Sequence, residues 1–170
     1  MICLVTDSLE PSGLGVHMLT LAQALRAQED VLFVVPPEAS GNFLTRARQV
    51  GLCAEGWDRT REGFLNLLGQ YPISLVHTHA GIGWEGHTEV YAAREAGAKV
   101  VRTEHLPHLL TDEQQRRDYA RLTQQLERIV CVSQAALETY LAAGIPAEKL
   151  RLVRNGIYPP APCKKRNDVR

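Results

Sequence analysis

Short apolar, β-branched runs alternate with longer stretches whose apolar residues recur at helical spacing, along almost the whole chain. The runs predict strands at about Ile2–Thr6, Val31–Val35, Leu52–Ala54, Ser74–His79, Val100–Glu104, Ile129–Val132 and Leu150–Arg154. Between them the spacing predicts helices near Val16–Gln28, Phe43–Val50, Arg61–Gln70, Gly86–Ala96, Asp112–Gln125 and Gln134–Ala143. On the first helix Leu19, Ala22 and Leu25 make an apolar stripe that reads as core packing. Strand and helix in regular alternation, joined by short loops, imply βαβ crossovers. The fold class is therefore α/β, a parallel sheet of about seven strands covered by helices on both faces.

The punctuation agrees with this reading. Thr111-Asp112-Glu113-Gln114 has the form of a capping box, with Thr111 as N-cap and Gln114 as its reciprocal partner. Gly97 and Gly144 follow their helices as C-caps, and Pro146 blocks continuation after Gly144. After Asn155-Gly156-Ile157 the character changes to a stiff Tyr158-Pro159-Pro160-Ala161-Pro162 segment and a charged tail. One domain over 1–157 is expected, with 158–170 an interdomain linker or tail.

Length and charge narrow the function classes. A chain of 170 residues, 45% apolar and 22% charged, has room for one well-buried domain. Nineteen basic residues balance nineteen acidic ones, so no basic field exists to attract nucleic acid. Cys3, Cys53, Cys131 and Cys163 show no C-x-x-C pairing, and Cys3 and Cys131 fall inside strand-like runs. That usage favours a reducing compartment. The chain opens directly on a strand, without the charged and apolar regions of a signal peptide. No apolar run approaches the ~20 residues of a membrane span, so no transmembrane segment is expected and the localisation expected is cytoplasmic.

Candidate chemistry collects where strands end. In a parallel sheet the carboxyl ends share one edge, and ligands bind in the crevice there. The first strand leads to Ser12-Gly13-Leu14-Gly15, read as a loop ahead of a helix beginning at about Val16. Glycines let backbone approach a ligand closely, and a helix N-terminus favours a phosphate or carboxylate; a merely tight turn would look the same. A dinucleotide fingerprint is disfavoured, because Asp7 to Ser12 separate the glycines from the strand and Met18 stands where a third small residue belongs. His77-Thr78-His79 places two imidazoles on one side of a strand, and His87, His105 or His108 could complete a metal site. Metal hydrolases of that kind use a barrel of about 250 residues, so the expectation is one histidine buried and the other facing the cleft. His105, closing the fifth strand, is placed to donate a hydrogen bond to a sugar hydroxyl or a developing phosphate charge. No G-x-S-x-G elbow occurs, so nucleophilic hydrolysis has no support.

These pieces, in order, resemble the N-terminal domain of retaining GT-B glycosyltransferases of family four, the glycosyl transferase group 1 class. The likeness covers about 1–157. It runs from the glycine-bearing segment and Leu19-Thr20-Leu21-Ala22-Gln23-Ala24-Leu25 through Leu75-Val76-His77-Thr78-His79 and Val100-Val101-Arg102-Thr103-Glu104-His105. Its most specific part is Ile129-Val130-Cys131-Val132-Ser133, then Gly144-Ile145-Pro146-Ala147-Glu148-Lys149-Leu150, then Val153-Arg154-Asn155-Gly156-Ile157. The resemblance implies a Rossmann-like doubly wound sheet on the acceptor side of a two-domain enzyme. It implies that Gly13, Leu14 and Gly15 approach the donor phosphate or the acceptor, and that His105 contacts the transferred sugar. It implies that His79 and Ser133 face the cleft, and that Asn155 and Gly156 mark the interdomain junction. A nucleotide-sugar would be a substrate, with no cofactor and no metal, and no protein nucleophile is required for transfer with retention.

The chain departs from the family at three points. The glycine pair is split by Leu14, and Tyr158 stands where an acidic residue is common. The two glutamates separated by seven residues, which mark the donor-binding domain, occur nowhere. The reading is thus the acceptor-side half of a glycosyltransferase, inactive alone, whose partners are a nucleotide-sugar donor, an acceptor and a donor-binding domain. The alternatives are half of a sugar-nucleotide epimerase and a non-catalytic carbohydrate- or nucleotide-binding module.

Overall fold

The computed structural model describes residues 1–156; the linker assigned to 158–170 lies outside them. Seven parallel strands form one sheet: β1 (Ile2–Val5), β2 (Val31–Val35), β3 (Cys53–Gly56), β4 (Leu75–Ala80), β5 (Lys99–Glu104), β6 (Arg128–Cys131) and β7 (Leu150–Leu152). The helices are α1 (Ser12–Leu25), α2 (Phe43–Gln49), α3 (Arg61–Gln70), α4 (His87–Glu95), α5 (Glu113–Gln124) and α6 (Gln134–Ala142). The spatial order is β3-β2-β1-β4-β5-β6-β7. The chain therefore winds outward one way from β1 and the other way from β4, which makes the gap between those two strands the topological switch point.

Strand alternation divides the core into two. On one face Leu4, Phe33 and Val35 pack against Met18 and Leu19 of α1 and Phe43 of α2. On the other, Cys3, Val5, Val34, Val76 and Val100 meet Phe64 of α3, Val90 of α4, Tyr119 of α5 and Tyr140 of α6. Strand β2, Val-Leu-Phe-Val-Val, second from one edge, is buried throughout, as a strand covered on both faces must be. Register pairs Leu4 with His77 and His79 with Thr103, so the polar ends of β1, β4 and β5 come level at one edge.

Two local expectations are corrected. The helix expected from about Val16 begins at Ser12, so Gly13 and Gly15 lie in its first turns rather than in a loop before it. The cause at Gly15 is packing: a Cβ there would stand 2.6 Å from the Phe43 ring. Asp112, not Thr111, caps α5, accepting a bond from the Gln115 amide at 2.9 Å. Carboxylates and hydroxyls compete for that position, and the one nearer the first turn holds it. Gly97 and Gly144 adopt φ of +81° and +83°, as C-cap glycines do.

Candidate active site

The carboxyl edge of β1, β4 and β5 carries a cluster of four imidazoles. Alternation along β4 sends His77 and His79 to the α1 face, and their rings stack with centroids 4.2 Å apart. His105 follows β5 on the neighbouring strand, and its Nε2 lies 3.2 Å from His79 Nδ1. The fourth ring is His17, from α1, with centroids 5.0 Å from His105 and 5.5 Å from His79. His77 Nε2 meets the Thr103 hydroxyl at 2.7 Å.

Burial keeps these rings neutral. It pushes His77 down to about 3 and His105 down to about 4, with His17 adding to the effect on both. His79, fully buried, is held well below the usual imidazole range by burial first and by the other imidazoles next. His17 is lowered by burial alone. Protonation states follow from the hydrogen bonds. His79 Nε2 is buried without a partner among the described residues. An orphaned N–H is rarer in folded proteins than an under-used acceptor, so the proton belongs on Nδ1 and is donated to His105 Nε2. His105 then carries its own proton on Nδ1, as a directed neutral donor. Nitrogen atoms of His17, His79 and His105 lie within 4.8 Å of one another and could also hold a divalent metal.

On the opposite face of the sheet, buried polar groups tie β5 to its neighbours. Arg102 pairs with Glu104 on β5, both fully buried, and the Tyr119 hydroxyl donates to Glu104 Oε1 at 2.8 Å. Arg102 Nη1 donates to the Glu85 carbonyl at 2.8 Å, tying β5 to the segment between β4 and α4. In that segment Glu85 Oε2 accepts from the Gly81 and Ile82 amides, and the Gly86 amide donates to Asp7 Oδ2 at 2.9 Å. Gly86 sits at φ +75°, and a Cβ there would come 2.6 Å from Arg102 Nη1. Glu89, one turn further, is fully buried, with neither carboxylate oxygen bonded among the described residues; burial, then the charge of Asp7, pushes it up to about 8.

The expected site residues are only partly brought together. His79 and His105 meet directly, but His79 is fully buried, so it would reach a ligand through His105. Gly13 is exposed and a Cβ there would meet nothing, while Gly15 is buried under Phe43 and Leu14 is half-buried beside the same core. Ser133 is exposed at the end of β6, its hydroxyl accepting from the Ala136 amide as N-cap of α6. Asn155 and Gly156 are exposed where the described residues end. His87 and His108 stand apart from the imidazole cluster: His87 bonds the Gly83 carbonyl and His108 packs between Tyr119 and Tyr140. His17 is the residue that sequence reasoning missed. Its signal was a histidine at helical spacing between Leu14 and Leu21, one turn after Gly13.

Two cavities open nearby. One of about 380 Å³ is lined by Asp7, Ser8, Leu9, Arg59, Trp84 and Glu85, at the switch point. A larger one of about 660 Å³ lies among His108, Leu110, Arg116, Tyr119 and Thr139, and the lining of neither cavity includes the clustered imidazoles. Among the described residues no helix is long and apolar enough to cross a membrane.

Comparison with known proteins identifies the architecture. The chain is similar to Anabaena Alr3699/HepE, solved in complex with UDP-glucose, at TM-score 0.72 and 18% identity over 92% of this chain and 44% of that one. It is similar to Acinetobacter baumannii MurG at TM-score 0.58 and 13% identity, covering 79% and 41% of the two chains. UDP-N-acetylglucosamine 2-epimerase from Rickettsia bellii matches at TM-score 0.59 and 13% identity, over 91% and 44%. The chain thus spans less than half the length of these solved relatives, and at such identities the likeness is one of fold. No curated protein matches the sequence. Residues 11–159 match Glycosyltransferase Family 4, most of the chain's length, and the chain belongs to that family.

Proposed function

We propose that this domain is the acceptor-side half of a retaining glycosyltransferase, which moves a sugar from a nucleotide-activated donor to an acceptor hydroxyl. The observation that carries the reading is the neutral His105, oriented by His79 at the switch-point edge of a Family 4 domain. Its Nδ1–H is a fixed donor for a hydroxyl of the transferred sugar or for charge developing as the donor phosphate departs. A dipole held in place by a second ring costs no reorganisation during reaction. The acceptor would attack from the face the phosphate leaves, so no protein nucleophile is needed. UDP is the nucleotide to try first, since the HepE structures contain UDP or UDP-glucose. Gly13, exposed on the first turn of α1, leaves room for the donor phosphate or acceptor to approach backbone amides. Donor binding requires a second domain, and this chain alone turns nothing over.

The test is turnover by the polypeptide that joins this domain to its donor-binding domain, with a panel of UDP-sugars. His105→Ala should cut kcat/KM by about a hundredfold, the scale for losing one directed donor at a reacting centre. Transfer unchanged in that variant would remove His105 from the site. A second reading, half of a sugar-nucleotide epimerase, draws on the fold shared with the 2-epimerases. Product analysis separates them: epimerised donor without transfer would favour the second.

A further inference from the structure

Three imidazoles from three separate segments stand at the spacing that a tetrahedral cation imposes. His17 comes from α1, His79 from the end of β4 and His105 from just beyond β5. Their ring centroids are 5.0, 5.5 and 5.5 Å apart. Imidazoles bound at about 2.0–2.1 Å on a tetrahedral zinc have centroids about 5.2 Å apart and ligating nitrogens about 3.4 Å apart. His79 Nδ1 and His105 Nε2, 3.2 Å apart, already span one such edge. One nitrogen of each ring lies within 4.8 Å of the other two, so a shift of about an ångström brings His17 onto the third corner. His17 is half-buried, and its ring nitrogens bond no described residue that would hold it back. His77, stacked on His79, is not a ligand, because the Thr103 hydroxyl engages its Nε2.

The donor set selects the ion. Imidazole nitrogens suit zinc, whereas magnesium and calcium take oxygen ligands, and among the described residues no carboxylate joins the three rings. We propose that His17, His79 and His105 form a Zn²⁺ site, bound through His79 Nδ1, His105 Nε2 and one nitrogen of His17, with the fourth position left to water. The cation takes the place of the proton that His79 shares with His105. His105 keeps its Nδ1–H, so metal and sugar do not compete for one atom. The site stands on the three rings and not on the transferase reading. Metal on Nδ1 moves the remaining His79 proton to Nε2, which is buried without a partner among the described residues. An unpaired N–H there weakens binding by about ten- to a hundredfold. Closed structural zinc sites reach about nanomolar Kd and below, so this one is expected near a micromolar.

Cobalt makes the test direct, because tetrahedral Co²⁺ absorbs strongly in the visible and octahedral Co²⁺ only weakly. The untagged 170-residue chain, stripped with EDTA, should bind a single Co²⁺ with the intense tetrahedral bands, and equimolar Zn²⁺ should bleach them. Competition with a chromophoric chelator should return a zinc Kd of about a micromolar. His17→Ala should weaken zinc by at least about a hundredfold with circular dichroism unchanged. His87→Gln, on a histidine outside the cluster, should leave zinc binding as it was. His17→Cys should restore binding and add a thiolate-to-cobalt charge-transfer band in the near ultraviolet, which a change of fold alone cannot produce. No stoichiometric metal, an octahedral cobalt spectrum, equally tight zinc in folded His17→Ala, or His17→Cys without the new band would each overturn the proposal. Neither a sugar donor nor a second domain enters this measurement. A negative result therefore removes the metal site and leaves the transferase to turnover assays; zinc binding without sugar transfer by the two-domain protein removes the transferase reading alone.

Discussion

Gly13 and Gly15 lie two residues apart on α1 and have opposite surroundings. Gly15→Ala would drive a methyl into the Phe43 ring, 2.6 Å away, and should destabilise the chain by about 1–3 kcal/mol in thermal or urea unfolding. Gly13→Ala meets nothing and gains helix propensity, so unfolding should show stability unchanged or raised by up to ~1 kcal/mol. If Gly13 serves ligand approach, the same variant loses turnover in the two-domain protein while keeping its stability. In the proposed transferase His79 would act through His105, as a positioning residue. His79→Phe, which keeps a ring but loses the donated proton, should lower kcat more than it raises KM. Of these residues His79 and His105 were legible in sequence, because each ends an apolar strand run. His17 was not, since a histidine inside a helical apolar stripe looks like any core-facing position until the sheet beneath it is known.

Among the elements, β5 bears the most unusual load. Its Arg102 and Glu104 are buried on the face that packs α5, and Tyr119 closes the pair. Burial alone would lower the Arg102 pKa; its ion pair with Glu104 overrides that and holds it charged. Glu104→Gln should cost about 3–5 kcal/mol, because it leaves a guanidinium buried without its counter-charge. Tyr119→Phe should cost less, about 1–2 kcal/mol, since Glu104 keeps Arg102; chemical denaturation of both variants ranks them. The strand pattern, the seven-strand count and the helix sequence were legible because alternation and helical spacing are local properties. The start of α1 and the cap of α5 were not: glycines read as punctuation until Phe43 is seen packed on one of them, and Thr111 and Asp112 are equivalent caps until backbone directions are known.

At the scale of the whole molecule, stability should depend on pH with two opposing limbs. The imidazoles of an unfolded chain take protons near 6.5, while native His105 resists to about 4 and native His77 to about 3. Between those values the unfolded state binds more protons, so stability falls as pH drops from 6.5 to 4, by up to ~1.4 kcal/mol per pH unit per ring. Glu89 acts in reverse. Raised from 4.5 to about 8, it holds its proton in the native state and loses that contribution as pH rises across this window. Urea midpoints across pH should therefore peak near neutrality, and Glu89→Gln should flatten the alkaline side. The order of the strands carries a further consequence, for biosynthesis. Strand β1 emerges first yet lies in the middle of the sheet, flanked by β2 and by β4, which closes only at Ala80. About 45 residues separate the end of β2 from the end of β4. At ribosomal speeds of about 5–20 residues per second, one edge of an almost wholly apolar strand waits several seconds for its neighbour. During that interval the nascent chain offers an open template for pairing with other chains, and its yield in cells should depend on a holdase or on slow expression at low temperature.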